Sequence, residues 1–289
     1  MPELPEVETL RRTIQAVLPG RTILAVQVLW ARTVEPITPT EMDARIAGRT
    51  VIGTDRAGKL LILELDDGAA LTVHLRMTGE LLFRPDRTKN RDSTREPYLR
   101  AVFDLSGNSE LCFYDTRKFG RIGYVPPGNR EELMARRGIE PLGKSFTIDR
   151  LSSLLMRKRS IKPLLLDQSL VAGLGNIYVD ETLFRAGIHP LRIASSLTRD
   201  DVERLHGSII AVLSEAIEHR GTTLRDYRSG LGDAGENQHR LHVYGRANAP
   251  CVTCGTLLER LVVAQRGTVH CPRCQPLTQL GRPRQSPSR

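Results

Sequence analysis

The sequence predicts an α+β protein of two domains, an N-terminal β-sandwich or barrel led by one helix, followed by a helical domain that ends in a cysteine-rich hairpin. Three observations carry this. Residues 21–125 break into short β-rich runs separated by turn residues. Beyond residue 141 the apolar residues switch to helical spacing. Four of the five cysteines fall as two close pairs near the C-terminus. A chain of 289 residues with 40% apolar content is long enough for two cores.

Element by element, Val7, Leu10, Ile14, Val17 and Leu18 recur at helical spacing over residues 6–18, and Pro19-Gly20 stops the pattern. The runs TILAVQVL, TVIGTD, KLLILEL, ALTVHLRM, AVFDL, ELCFY and RIGYV then read as strands, with Asp67-Gly68 and Gly107-Asn108 at hairpin positions. Within ALTVHLRM, alternation puts Leu71, Val73 and Leu75 on one face and Thr72, His74 and Arg76 on the other. His74 thus faces solvent or ligand, and Met77 reads as core unless the strand ends before it. Pro126-Pro127-Gly128, a short helical piece EELMARRG and Pro141-Leu142-Gly143 mark the boundary. Helices are expected at 149–159, 176–186 and 199–220, the last with Val202, Leu205, Ile209, Val212, Leu213 and Ala216 on one face. The expected domains are therefore 1–130, a linker at 131–147, a helical domain at 148–245 containing the mobile loop YRSGLGDAGENQH, a finger at 246–276 and a disordered tail at 277–289.

Lysine and arginine exceed acidic residues by 42 to 33, a net +9, so a polyanion is the first electrostatic suspect as partner. No apolar run is long enough for a membrane span, and no basic segment followed by an apolar one opens the chain, so a cytosolic protein is expected. In a reducing compartment, paired cysteines favour metal over disulfides.

The strongest local signal is Cys251-Val-Thr-Cys254, sixteen residues, then Cys271-Pro-Arg-Cys274. Four thiolates at this spacing can close a tetrahedron around zinc; with every position filled by protein, the ion is structural. Its role would be to hold the intervening hairpin, whose turn is expected to carry Arg266. Asn176 follows Gly173-Leu-Gly175 at a helix start, where it reads either as a plain cap or, with Arg157, Lys158, Arg159 and Lys162 upstream, as part of a phosphate site. Tyr114-Asp-Thr-Arg117-Lys-Phe119-Gly120-Arg121 sets cations around an aromatic, as suits a buried turn or a wedge into a base stack.

Taken together, MPELPEVE, the lysine of RAGKLLILEL, YDTRKFG, IKPLLLD, GLGNIYVDETLFRAGIHP, VYGR and CVTCG…AQRGTVHCPRC resemble, in order and across nearly the whole chain, the bacterial formamidopyrimidine-DNA glycosylase family. The resemblance implies a β-sandwich, a helix-two-turn-helix region and a zinc finger, with DNA crossing between the domains. It implies a monomeric, nucleoid-associated repair enzyme acting on damaged double-stranded DNA with one structural zinc. Pro2 would be the nucleophile once Met1 is removed, because a free α-amine titrates at about 7.7–8.0 and keeps a neutral fraction near physiological pH. Glu3 would move protons, Lys59 would act in β-elimination and Arg266 in δ-elimination. Met77, Arg117 and Phe119 would fill the hole left by an everted base, and His74, Arg157, Lys162, Asn176 and Arg266 would grip phosphates. Three departures stand out: Arg76 replaces a residue that is usually small, RPDRTKNRDSTREPY lacks a histidine-rich stretch, and the glycine-rich loop after Tyr227 differs from familiar versions, which bears on base preference. An endonuclease VIII-like enzyme for oxidised pyrimidines and a catalytically silent damage binder are the alternatives. The retained Pro2, Glu3 and Lys59 count against the silent binder.

Overall fold

The computed structural model describes residues 1–135, 137–224 and 227–277. By its contacts the chain divides into one unit of Met1–Glu140 with Leu213–Arg240 and a second of Pro141–Val212 with the segment from Leu241 on. Residues 213–240, expected within the helical domain, thus pack with the N-terminal unit. The expected disordered tail lies, from residue 278 on, outside the described residues.

In the first unit, α1 (Leu4–Gln15) buries Leu4, Val7, Leu10 and Ile14 on one stripe; Pro5 sits in its first turn, where no N–H partner is needed. Then follow β1 (Ile23–Val28), α2 (Pro39–Ile46), β2 (Val51–Ala57), β3 (Leu60–Leu65), β4 (Ala70–His74), β5 (Gly79–Arg84), β6 (Leu99–Leu105), β7 (Ser109–Asp115), β8 (Arg121–Val125) and α3 (Arg130–Ala135). Two of these, α2 and β5, add to the expected elements. The strands form two antiparallel four-stranded sheets, ordered β1-β6-β7-β5 and β2-β3-β4-β8, so the fold is a sandwich rather than a closed barrel. Leu61, Leu63, Leu71 and Val73 of one sheet share a core with Ala101, Phe103, Leu111 and Phe113 of the other, and Val7, Leu10 and Ile14 of α1 join it. Each large side chain so buried contributes about 1.5–3 kcal/mol.

Besides the link from β1 to β2 through α2, two connections switch sheets. Residues 75–78 lead from β4 to β5, and residues 116–120 lead back from β7 to β8. The register pairs His74 with Arg121 and Gly79 with Asp115, so both crossovers run side by side at one end of the sandwich. Because Leu61 pairs with Val73, the β2–β3 turn lies at this same end.

The second unit begins with α4 (Ile148–Leu155), capped by the Thr147 hydroxyl, which accepts the Arg150 N–H at 3.2 Å. It continues with α5 (Ile161–Leu165), α6 (Asn176–Ala186) and the first part of α7 (Arg199–Glu218), then the hairpin of β9 (Glu259–Val263) and β10 (Arg266–His270). Phe184 and Val243 pack with Cys251, Leu258, Val269 and Cys271 in a small core beneath that hairpin. No described helix is long and apolar enough to cross a membrane.

Candidate active site

Polar contacts fix where α1 begins. The Gln15 carboxamide oxygen accepts the Thr54 N–H at 2.8 Å, and about two turns earlier Glu8 accepts from Arg56 Nε at 3.2 Å. The first turn of α1 therefore heads along β2 toward the β2–β3 turn. That turn is gripped on both sides, Arg56 Nη1 donating to the Gly58 carbonyl at 3.0 Å and the Gly58 N–H donating to Glu140 at 2.9 Å. Burial alone would raise the Glu8 carboxyl, but bonds from Arg11 and Arg12 and the charges of Arg11 and Arg56 hold it at about 2. Pro2, Glu3 and Lys59 are all buried at this end of the unit.

His74 ends β4 beside them. Its Nδ1 accepts the Arg76 N–H at 3.1 Å, so the neutral ring carries its proton on Nε2, ready to donate. Burial, with the cations of Arg76, Lys59 and Arg137, lowers its pKa to about 4. Since the unfolded chain would bind this proton near pH 6.5, stability is full above that value and declines as pH falls toward 4. His74→Gln should flatten that decline in chemical unfolding measured across the same window.

Arg76 has φ +55°, a left-handed position that favours glycine and ends the strand. The strand thus ends before Met77, which is 41% exposed rather than core. Phe119 is 49% exposed, and the Arg117 guanidinium lies 4.9 Å from its ring centre. Pro2, Glu3, Lys59, His74, Met77, Arg117 and Phe119 thus gather at one end of the sandwich.

One participant had no sequence signal beyond its place at a helix start. Glu6 is buried, and one of its oxygens accepts the Glu3 N–H at 2.7 Å while the other accepts the Thr222 N–H at 2.7 Å. Tyr227 also donates its hydroxyl to the Glu6 carbonyl at 3.0 Å. The glycine-rich segment is thereby tied to the start of α1.

In the second unit Asn176 is the first residue of α6, not its cap; Gly175 holds that place. Asn176 Nδ2 donates to the Gly267 carbonyl at 2.9 Å and so brings β10 to the start of α6. Arg266 opens β10 and is exposed, the hairpin turn being Ala264-Gln265, both at positive φ. Arg157 is likewise exposed. Lys162 is different. Its Nζ is fully buried and donates to Asp180 Oδ1 at 2.6 Å and to Thr268 at 2.7 Å, a correction to its reading as a phosphate contact. Asp180 Oδ2 accepts the Val269 N–H, and burial pushes this carboxyl up to about 6 despite the ammonium beside it. Glu181 accepts the N–H groups of His242, Val243 and Tyr244 at 2.8–2.9 Å, which orders the VYGR segment. Neither acid was singled out from the sequence.

The ligand atoms of Cys251, Cys254, Cys271 and Cys274 all lie within 4.8 Å of one another. Sulfur separations of 3.9 Å for Cys251 and Cys274 and 3.5 Å for Cys254 and Cys271 bracket the spacing of about 3.8 Å that a tetrahedron with 2.3 Å zinc–sulfur bonds requires. The set fits one structural zinc.

Three family models match the chain in succession. The formamidopyrimidine-DNA glycosylase N-terminal domain covers residues 1–122, the formamidopyrimidine-DNA glycosylase H2TH domain 137–228, and the zinc finger found in FPG and IleRS 249–277. The formamidopyrimidine-DNA glycosylase of Herpetosiphon aurantiacus is 47% identical over 277 residues, covering 95% of this chain and 100% of that one. The chain belongs to the formamidopyrimidine-DNA glycosylase family.

The enzyme of that name from Geobacillus kaustophilus is 45% identical, again across 95% and 100% of the two chains. Lactococcus lactis Fpg in complex with DNA containing an abasic site superposes with a TM-score of 0.87 at 34% identity, covering 95% of this chain and 99% of that one. The wild-type Lactococcus enzyme with DNA containing an oxidised pyrimidine gives 0.86 at 34% identity, over 95% and 100%. As a member of the family, the chain is a DNA glycosylase of base excision repair, with the sandwich, helical region and zinc finger that the family shares.

Proposed function

We propose that this glycosylase excises oxidised purines, 8-oxoguanine and formamidopyrimidines, through a covalent intermediate on Pro2 and then cleaves the strand as a lyase. The observation that carries the reading is the gathering of the α1 start, the Lys59 turn and His74 at one end of the sandwich. Once Met1 is removed, the proline nitrogen attacks C1′; the N–C1′ bond forms, the glycosidic bond breaks, and the base leaves with a proton. Glu3 handles protons as the sugar ring opens. The resulting iminium acidifies C2′, so loss of that proton expels the 3′ phosphate. Lys59 serves this β-elimination, and Arg266 the second elimination by family resemblance. No redox step is involved. Met77, Arg117 and Phe119 occupy the space of the everted base and wedge its partner, while His74, Arg157, Asn176 and Arg266 contact phosphates. The glycine-rich segment held by Glu6 covers the extruded lesion.

A single chain carries every group this chemistry uses, so it acts as a monomer, in the bacterial cytoplasm at the nucleoid. The test is borohydride reduction of processed protein with 8-oxoguanine DNA. A covalent adduct that peptide mapping locates to Pro2 is the expected result; no adduct from verified Met-free protein would sink the proposal. The oxidised-pyrimidine complex of the Lactococcus relative recommends thymine glycol DNA as the comparison substrate. Faster excision there than at 8-oxoguanine opposite cytosine would favour the endonuclease VIII-like reading.

A further inference from the structure

We propose that Asp115 is a positioning residue that sets Met77, Arg117 and Phe119 as one preformed wedge; this rests on the assignment of those three side chains to the base-stack void. Asp115 ends β7 directly across from Gly79, so it stands between the two crossovers that carry them. It is 1% exposed. Its Oδ1 accepts the Thr78 hydroxyl and the Arg117 N–H at 3.1 Å, and its Oδ2 accepts the Gly120 N–H at 2.6 Å. The Arg117 N–H also reaches Thr78 Oγ1 at 3.2 Å. One buried carboxylate therefore closes the Phe119 loop upon itself and joins it to the residue that follows Met77.

Neither loop has slack at its far end. A Cβ on Gly79 would stand 2.4 Å from the Leu75 carbonyl oxygen, and one on Gly120 would stand 2.4 Å from the Phe113 ring. From outside, Lys118 takes a left-handed φ of +60° and lays its ammonium 4.0 Å from the ring centre of Trp30, the sole tryptophan. The backbone is fixed while Met77 and Phe119 stay exposed, so the entropy of ordering the wedge is met before DNA arrives. Asparagine at 115 cannot reproduce this. Its carboxamide offers one acceptor oxygen and one donor nitrogen where the two loops present three donors.

The experiment uses the full, Met-free chain and single-turnover base excision from two duplexes, 8-oxoguanine opposite cytosine and the same lesion opposite an abasic gap. Asp115→Asn and Thr78→Val should slow the first by on the order of 10- to 10²-fold, as expected for displaced positioning groups, and slow the second markedly less, because there the void still needs filling but no partner base needs wedging. Thr78→Ser, which keeps the hydroxyl, should match wild type on both. Fluorescence of 2-aminopurine opposite the lesion should show the eversion step as the one slowed. If Asp115→Asn does not fold, Thr78→Val carries the test. Equal slowing on both duplexes, or none on either, overturns the proposal. Borohydride trapping at a preformed abasic site should be wild-type in these variants; its absence in the parent protein would instead fault the Pro2 chemistry.

Discussion

Glu3→Gln should lower the rate of 8-oxoguanine excision by about 10²–10⁴-fold, the range for a positioned proton-transfer group, while leaving cleavage at a preformed abasic site close to wild type. The split follows from what each substrate asks of the residue. With the base in place, the sugar ring must open and a poor leaving group must receive a proton. At an abasic site the aldehyde already equilibrates with its ring-opened form, and the Pro2 amine can condense with it directly. Glutamine keeps the size of the side chain and an oxygen to accept the Glu6 N–H of the capping box, whose other bond runs from the backbone N–H of residue 3 to Glu6. The helix start therefore survives the change. Single-turnover assays on the two substrates check the split. Equal loss on both would mean that Glu3 supports the amine rather than base departure.

Lys162→Met should cost about 3–5 kcal/mol of stability in the second unit, because it leaves the buried Asp180 carboxylate without its partner. The deficit should shrink as pH falls, since Asp180 already titrates high, near 6, and protonation removes the stranded charge. Urea unfolding near neutral and in mild acid measures both effects. Lys162→Met/Asp180→Leu should recover most of the loss. On undamaged duplex, the folded fraction of the single variant should keep the parent slope of log K against log salt. By contrast, Arg157→Ala should reduce the slope by about 0.9, the value for one phosphate contact. A reduced slope for Lys162→Met would restore this lysine to the DNA interface.

How legible each part was in the sequence depended on how local its cause is. The α1 stripe, the period-two strands and the Cys pairs are set by spacing within a few residues, and the structure carries them. The α2 start carries a readable signal in Thr38 and Glu41, which form a capping box beside Pro39. β5 was missed because GELLFR follows the Met77 turn with no Gly-Pro or Asn-Gly punctuation, although its burial alternates cleanly. Lys162 reads as one more cation of RKRSIK; its burial is decided by Asp180 and by Thr268, 106 residues away. Met77 turned on a single left-handed residue, Arg76, whose conformation its side-chain chemistry does not advertise. The candidate site residues stand in ordered motifs, whereas the bonds of Glu6 and Asp115 in the first unit and of Glu181 in the second are not visible in them.

The bond from Thr222 to Glu6 spans 216 residues of chain, which gives the site a timetable during synthesis. At bacterial translation speeds of about 5–20 residues per second, roughly ten to forty seconds separate the emergence of Glu6 from that of its partner. During that interval the start of α1 lacks the bond that ties it to residue 222. In the completed protein Pro2 is buried, and only Met1 projects. On the proposed chemistry, the Pro2 amine would sit in its finished setting only once about three-quarters of the chain has been made.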